Sequence, residues 1–129
     1  MTRDEIEKLT LDFTAAFNRD DLDGVMAYFA EDGVYDQVDG QRAIGRAAIR
    51  KAFEPQFQGA YGTMRFLQED LFVDQAAGKS MISWTCSFAT KRGPAGWRGL
   101  DLLHWQGGKL VHKLTYAKAK QLLLESRQG

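Results

Sequence analysis

The spacing of apolar residues changes from a helical period to a strand period along the chain. Between residues 6 and 29 the apolar side chains recur every three to four positions, a pattern that predicts two amphipathic helices. From residue 64 onwards they alternate with polar side chains, as in Ile82, Trp84, Cys86 and Phe88, and this alternation predicts long strands. Helices collected ahead of strands that follow one another in hairpins are typical of an α+β fold.

Three helices are predicted in the first half of the chain. Thr2, followed by Glu5, has the spacing of a capping box for the first helix, and Asp21 can cap the second. The third helix is expected to begin at Gly45-Arg46 and to end near Pro55, because proline has no N–H to donate within a helix. Each helix has one apolar face that can pack against a sheet.

Two short strands and four long ones are predicted around these helices. A turn is expected at Glu31-Asp32-Gly33. Short strands over 34–38 and 41–44 would be joined by a second turn at Asp39-Gly40. Long strands are expected over 64–74, 79–90, 97–106 and 109–119, with a loop over 91–96 and a tight turn at Gly107-Gly108. The prediction is one domain, residues 1–129, with an ordered core over about 3–119 and a polar tail over 120–129.

The charges balance overall but not along the chain. Lys and Arg number 17, as do Asp and Glu. Residues 1–40 hold 11 acids and three bases, a net of −8, whereas residues 41–129 hold 6 acids and 14 bases, a net of +8. Nucleic-acid-binding domains usually carry a basic excess on one face, so no nucleic-acid partner is expected.

Several classes of site lack their residues in this sequence. Cys86 is the single cysteine, so no internal disulfide can form. No glycine-rich phosphate loop stands between a strand and a helix, and no cofactor is expected. His104 and His112 lack the further ligands that a metal ion needs, and no metal is expected. Without an apolar signal core or a membrane-length apolar run, we expect a soluble cytoplasmic protein with no membrane partner.

The segment from Gly99 to Trp105 is apolar apart from Asp101 and His104. A carboxylate within such a strand is costly unless it is paired or hydrogen-bonded. Two interpretations stay open at this point. Asp101 points to solvent at a sheet edge, or it faces a cavity as an acid, a base or a hydrogen-bonding group.

The register of the last hairpin decides the neighbours of Asp101. A loop over 106–108 would place Asp101 opposite Lys113, whereas a turn of Gly107-Gly108 alone would place it opposite Leu114 and direct Lys113 to the other face. A similar choice exists on the first strand, where either Asp36 or the pair Tyr35 and Gln37 faces the interior. Alternation alone does not select between these faces.

Two segments carry a resemblance to a known family. They are Leu22-Asp23-Gly24 leading to Tyr28-Phe29-Ala30-Glu31-Asp32-Gly33-Val34, and Gly45-Arg46-Ala47-Ala48-Ile49-Arg50. With them, residues from about 5 to 118 resemble the nuclear transport factor 2-like superfamily, in its SnoaL-like and ketosteroid-isomerase-like branches. The resemblance implies a cone, in which a curved antiparallel sheet wraps three helices around an apolar pocket. It also implies that homodimers are common.

The resemblance to the steroid isomerases is only partial at their catalytic positions. Those enzymes use a tyrosine of the first helix, an aspartate at the end of the first strand and a protonated aspartate in the third long strand. The matching positions hold Phe13, Gln37 (with Asp36 one residue earlier) and Asp101, so steroid isomerisation is not expected. Lys113 stands where those enzymes carry an apolar residue. This departure suggests a charged or carbonyl-bearing ligand, and it favours the longer turn.

The main hypothesis is acid/base chemistry (isomerase, cyclase or lyase) on a small, partly apolar carbonyl compound. The candidate catalytic residues are Asp101, Lys113 and Asp36. The candidate pocket residues are Phe13, Phe17, Tyr28, Tyr35, Gln37, Phe53, Trp84 and Tyr116. The alternatives are a non-catalytic ligand-binding or interaction domain, and a structural dimer whose pocket is filled by its own side chains. A homodimer is expected because the second face of the aromatic strands needs cover.

Overall fold

Helices fill the first half of the chain and long strands the second, as the change in apolar spacing predicts. The computed structural model describes residues 1–60, 62–90 and 93–118, and these form three helices and six strands. In chain order they are α1 (Arg3–Asn18), α2 (Leu22–Tyr28), β1 (Phe29–Asp36), β2 (Arg42–Ile44), α3 (Arg46–Phe57), β3 (Arg65–Asp74), β4 (Lys79–Thr90), β5 (Gly93–Gln106) and β6 (Lys109–Lys118). The predicted polar tail over 120–129 lies outside the described residues.

One open, curved sheet holds these strands in the order β2-β1-β6-β5-β4-β3. Neighbouring strands are antiparallel except for β1 and β6, which run parallel with Tyr35 level with Lys113. The parallel pair departs from the fully antiparallel sheet that was expected. The helices pack on the inner face of the sheet, where Phe13 of α1 and Ile49 of α3 belong to one buried apolar core.

The first two helices begin where their capping residues predict. Thr2 Oγ1 accepts a hydrogen bond from the Glu5 backbone N–H at 3.1 Å, and Asp21 Oδ1 accepts one from the Gly24 N–H at 2.8 Å. These bonds satisfy N–H groups that have no partner within a helix's first turn. None of the helices in the described ranges is both long enough and apolar enough to cross a membrane.

Three elements have boundaries that differ from the predicted ones: the starts of β1 and β5 and the end of α3. β1 begins at Phe29, so residues 31–33, predicted as a turn, lie within a strand that bulges between Phe29 and Val34 as it pairs with β6. β5 begins at Gly93 instead of residue 97. Residues 93–96 were predicted as part of a loop, but they pair with residues 87–90 of β4. α3 runs past Pro55 to Phe57. It continues because proline removes only its own donor, and later N–H groups still reach the carbonyls of Glu54 and Pro55.

Two sets of polar contacts attach α1 to the sheet. Thr10 Oγ1 and Ser80 Oγ lie 2.7 Å apart, and the Trp105 indole N–H donates to Ser80 Oγ at 3.0 Å. At the end of α1 the Asn18 amide bonds both the N–H and the C=O of Phe66, at 2.8 and 2.9 Å. The second set occupies backbone groups of the edge strand β3. Together these contacts fix α1 across β3 and β4.

Candidate functional site

A cavity of about 850 Å³ lies between the inner face of the sheet and helices α1 and α3. Aromatic side chains from four strands and two helices form most of its wall: Phe17, Tyr35, Phe53, Phe66, Trp84, Phe88 and Trp97 contribute with smaller apolar residues. Within the described residues, Asp101 and Lys113 are the charged side chains of the lining. This size and composition match pockets that enclose small organic ligands, where a few polar groups fix the orientation of the ligand.

Asp101 is the centre of a buried hydrogen-bond network on β5 and β6. Its Oδ1 accepts from Lys113 Nζ at 3.0 Å and from Thr115 Oγ1 at 2.6 Å. Its Oδ2 accepts from the Trp84 indole N–H at 3.2 Å. Lys113 Nζ also donates to Thr115 Oγ1 at 2.5 Å, so the Thr115 hydroxyl receives one proton and gives one. Three donors therefore converge on the carboxyl group of Asp101.

Lys113 is enclosed by aromatic rings as well as by its anionic partner. Its Nζ lies 4.5 Å from the Tyr35 ring centre, 5.6 Å from that of Phe53 and 5.7 Å from that of Phe17. Ring faces at these distances attract a cation. An ammonium group has three N–H donors, and Asp101 and Thr115 take two of them. The third is available to an oxygen atom of a ligand in the cavity.

A β-bulge brings Lys113 and Asp101 to the same face, and neither predicted register contains it. Gly107 and Gly108 form a two-residue turn with φ of 58° and 81°, a conformation that glycine adopts without strain. Trp105 then pairs with Leu110, but His104 pairs with His112, so Val111 is an extra residue. The bulge turns every later side chain of β6 over. Asp101 therefore lies opposite Thr115, and Leu103 lies opposite Lys113.

Glycine at position 99 makes room for the indole that contacts Asp101. A Cβ atom added to Gly99 would lie 2.6 Å from Trp84 Cη2 and 2.6 Å from the Tyr116 carbonyl oxygen. Such distances are far inside van der Waals contact, and one of the two neighbours is backbone. The glycine thus lets Trp84 lie flat across β5 and donate to Asp101 Oδ2.

The structure places seven of the predicted site residues around the cavity. They are Phe17, Tyr35, Gln37, Phe53, Trp84, Asp101 and Lys113. Tyr35 stacks on Phe53 with ring centres 4.5 Å apart, which directs this face of β1 inward and answers the choice left open by alternation.

The four other predicted residues lie elsewhere. Asp36 is on the outer face of β1, where it accepts from Arg42 Nε at 3.0 Å and contacts His112 Nε2 at 2.7 Å. The hydrogen bond with His112, followed by that with Arg42, holds the pKa of Asp36 below its usual value. Phe13 is buried in the core between Phe17 and Trp105, and its ring meets that of Tyr28 edge to face. Tyr28 lines no part of the cavity, and Tyr116 is 53% exposed on the outer face of β6.

Sequence reasoning missed further residues of the lining. Thr115 follows from Lys113 by strand alternation once the bulge is known, and Phe66 follows from the alternation of β3 in the same way. Gln56 lies one helical turn after Phe53 on the inner face of α3. Trp97, outside the predicted set of pocket residues, also lines the cavity wall, where its ring meets that of Phe88. Its indole nitrogen is buried without a partner in the described part of the chain.

Other reactive groups lie apart from this network. Cys86 is fully buried, and burial raises the pKa of its thiol to about 11, so it is an inert core residue. In the described ranges, no group of three or more His, Cys, Asp or Glu side chains is arranged to hold a metal ion. The rings of His104 and His112 do meet on the outer face, with centres 5.2 Å apart.

Comparison with known proteins agrees with this architecture. The family model of the SnoaL-like domain matches residues 11–113. No curated protein matches the sequence significantly.

Many solved structures share the fold at low sequence identity. A Xanthomonas campestris pv. campestris protein with the provisional name polyketide cyclase is 21% identical, with a TM-score of 0.74 over 88% of this chain and 90% of its own. A protein with a cystatin-like fold from Methylobium petroleophilum PM1 is 18% identical, with a TM-score of 0.78 over 98% of this chain and 84% of its own. TerC, co-crystallised with polyporic acid, is 15% identical, with a TM-score of 0.73 over 88% of this chain and 92% of its own.

Proposed function

The chain belongs to the SnoaL-like domain family, and we propose that its cavity binds a small, partly apolar carbonyl compound and catalyses proton transfer at the carbon next to the carbonyl. The observation that carries the proposal is the ion pair of Asp101 and Lys113, which is buried in a cavity wall whose other described residues are uncharged. Ionisable pairs at such positions are candidate acid/base groups.

Each partner has one unused hydrogen-bonding position that fits this chemistry. The third N–H of Lys113 would donate to the ligand's carbonyl oxygen and stabilise negative charge that develops there. Among the described residues, Trp84 is the one that donates to Asp101 Oδ2, and the second lone pair of this oxygen would take a proton from the adjacent carbon. The C–H bond breaks as the enolate forms, and the carboxylic acid then returns a proton to the same carbon or to another carbon of the enolate.

The proposed step conserves charge around Lys113. Before the step the ammonium group is paired with the Asp101 carboxylate, and after it the ammonium group is paired with the enolate oxygen. The two anionic positions share one cation, so no uncompensated charge appears in the cavity during the reaction. Thr115 bonds both partners and keeps Lys113 Nζ and the carboxylate in one fixed arrangement.

The walls of the cavity favour a flat or partly aromatic ligand. Phe66 and Trp84 meet edge to face on one side, and Tyr35 and Phe53 stack on the other. The two solved structures named above as a provisional polyketide cyclase and as TerC with polyporic acid support small organic ligands for proteins of this fold. They do not identify the ligand of this chain, and a simple ketone is therefore the suitable probe.

Deuterium exchange into 4-phenylcyclohexanone tests the proposal. We expect the protein in D₂O to accelerate exchange at the two carbons beside the carbonyl, measured by proton NMR. Asp101→Asn and Lys113→Met should each lower this acceleration by roughly 100-fold or more, the usual contribution of a positioned base and of an oxyanion donor, respectively. Asp36→Asn makes the same change on the outer face and serves as the matched control. Acceleration that survives in Asp101→Asn would refute the assignment.

The alternative is a binding domain without turnover, which the three donors around Asp101 favour because they hold its negative charge. Titration with the same ketone, followed by tryptophan fluorescence, separates the two functions. Binding that depends on Lys113 without any exchange would support the binding domain, whereas binding together with exchange supports the enzyme.

We also propose that two copies associate through the outer face of the sheet. Strand register places Phe72, Met81, Leu102 and Leu114 in one apolar row across four strands, and Phe72 is 56% exposed. The Glu69–Arg98 ion pair on this face adds no net charge that would repel a second copy. Light scattering should give twice the 14.5 kDa chain mass for the wild type and the single mass for Phe72→Glu. A monomeric wild type would contradict the proposal.

A further inference from the structure

The mouth of the cavity carries a second polar subsite formed by two glutamine side chains. We infer that Gln37 and Gln56 together bind a neutral hydrogen-bonding group, a hydroxyl or an amide, at the far end of the ligand. The inference rests on the proposed function, since it takes the carbonyl end of the ligand to lie at Lys113. It names the class of substrate for that function: an apolar molecule with a ketone at one end and an uncharged polar group at the other.

The position of the two amides follows from the packing of β1 on α3. Tyr35 is level with Lys113 in the sheet, and Gln37, the residue that follows β1, lies two residues further along the chain, about 7 Å away. Phe53 stacks on Tyr35, and Gln56 lies one turn further along α3, about 4.5 Å along the axis. Both amides line the same cavity, and each lies one step beyond the Tyr35–Phe53 stack.

Burial shows that this step leads towards the mouth. Phe53 is 2% exposed, whereas Gln37 and Gln56 are half-buried and Val38, which follows Gln37 in the lining, is 60% exposed. The cavity therefore has a charged end at Asp101 and Lys113 and an uncharged polar rim, with aromatic rings between them.

The two glutamines have hydrogen-bonding groups that nothing in the described structure uses. Among the residues that the structure describes, the side-chain amides of Gln37 and Gln56 have no protein partner. Two threonines of the lining are already bonded: Thr14 donates to the Thr10 carbonyl at 3.0 Å, and Thr115 belongs to the Asp101 network. Each amide offers two N–H donors and one carbonyl acceptor. Either amide can therefore donate to or accept from a hydroxyl that reaches the mouth.

Charge restricts what the rim accepts. Asp101 and Lys113 neutralise each other, and no other described residue of the lining is charged. A ligand that placed a carboxylate or an ammonium group between the aromatic walls and the rim would lose hydration without gaining a counter-charge. The distal group of the ligand is accordingly polar and uncharged.

The test compares two ketones that differ only at the far end, 4-phenylcyclohexanone and 4-(4-hydroxyphenyl)cyclohexanone. The measured quantity is the ratio of their dissociation constants, determined by tryptophan fluorescence for the full chain. We expect the wild type to bind the hydroxyl compound about threefold to tenfold more tightly, the value of one net hydrogen bond. Gln37→Leu and Gln56→Leu, which keep the size of the side chain, should each reduce the ratio, and the double variant should bring it to one or below.

Gln41→Leu is the matched control, because Gln41 is exposed and lies outside the cavity lining. It should keep the wild-type ratio, and circular dichroism of every variant confirms folding. The inference is overturned if the wild type binds both ketones equally or binds neither, or if the double variant keeps the preference. It fails separately from the proposed function, because deuterium exchange reports on Asp101 and Lys113 whereas the affinity ratio reports on the rim.

Discussion

Replacing Lys113 with methionine leaves the Asp101 carboxylate buried without its cation. Methionine keeps the length and apolar contacts of the lysine stem between the rings of Tyr35 and Phe53, so the change removes charge and one hydrogen-bond donor and little packing. The perturbation therefore tests whether the ion pair is truly enclosed by the cavity.

The structure sets the expected size of the effect. Removing one partner of a buried pair typically costs about 3–5 kcal/mol, because the other charge stays desolvated. The side chain of Lys113 is 4% exposed and that of Asp101 10%, so this regime applies. Thr115 and Trp84 still donate to the carboxylate, and we expect the lower end of the range, about 3 kcal/mol. For a domain of this length the midpoint of thermal unfolding should fall by about 10 °C.

Urea unfolding at pH 7 measures this free energy, and a second variant identifies its cause. Asp101→Asn combined with Lys113→Met removes the stranded charge, so the double variant should be more stable than Lys113→Met alone by about 1–2 kcal/mol. Lys51→Met changes an exposed lysine of α3 and should stay within about 0.5 kcal/mol of the wild type. A loss below about 1 kcal/mol in Lys113→Met, or a double variant less stable than the single one, would refute the reasoning.

Three further predictions follow from single contacts. Gly99→Ala should displace the indole of Trp84 and weaken ketone binding at least as much as Trp84→Phe, measured by calorimetry, since no space exists for the added Cβ. Hydrogen bonds from Arg98 and then Thr85 lower the pKa of Glu69 to about 2. The Glu69 carboxylate therefore stabilises the fold fully above its unfolded-state pKa of about 4.3, and this stabilisation is lost as the pH falls through 2. In urea unfolding at a series of pH values, Glu69→Gln should abolish that part of the acid dependence. Cys86 should react with Ellman's reagent only after unfolding, because its thiol is buried and has a pKa of about 11. If the folded protein reacted as fast as an exposed thiol does, the buried position of Cys86 would be contradicted.

Period and capping residues were sufficient to predict the elements, because both act locally. Thr2 and Asp21 cap helices where expected, and the alternation from Ile82 to Phe88 marks a strand. The residues 31–33 were predicted as a turn, since Glu-Asp-Gly is a strong local turn signal. Pairing of β1 with β6 overrides that signal, and only tertiary structure contains this partner.

The candidate site was predictable in its residues but not in its geometry. A lone carboxylate in an apolar strand identified Asp101, and the departure from the family at Lys113 identified its neighbour. The contact between them depends on the extra residue Val111, and no pattern in the sequence marks a bulge of one residue. Without it, the two-residue turn would have directed Lys113 to the outer face.

Alternation and periodicity also leave the identity of the cavity wall undetermined. Tyr35 and Asp36 alternate on β1, and contacts with Arg42 and His112 hold Asp36 outside. Phe13 and Phe17 share the apolar face of α1, yet only Phe17 borders the cavity because Phe13 is covered by core rings on all sides. Helical spacing selects the buried face, whereas packing between elements decides where that face meets a void.

A crystal structure of the protein with 4-phenylcyclohexanone bound tests the central claim most directly. The claim is that Lys113 and Asp101 form the end of the cavity that receives a carbonyl group. We predict the ketone oxygen within about 2.7–3.2 Å of Lys113 Nζ, the adjacent carbon facing Asp101 Oδ2, and the phenyl ring directed towards Gln37 and Gln56. A ketone bound in the reverse direction, with its oxygen at the mouth and the phenyl ring against Lys113, would contradict it.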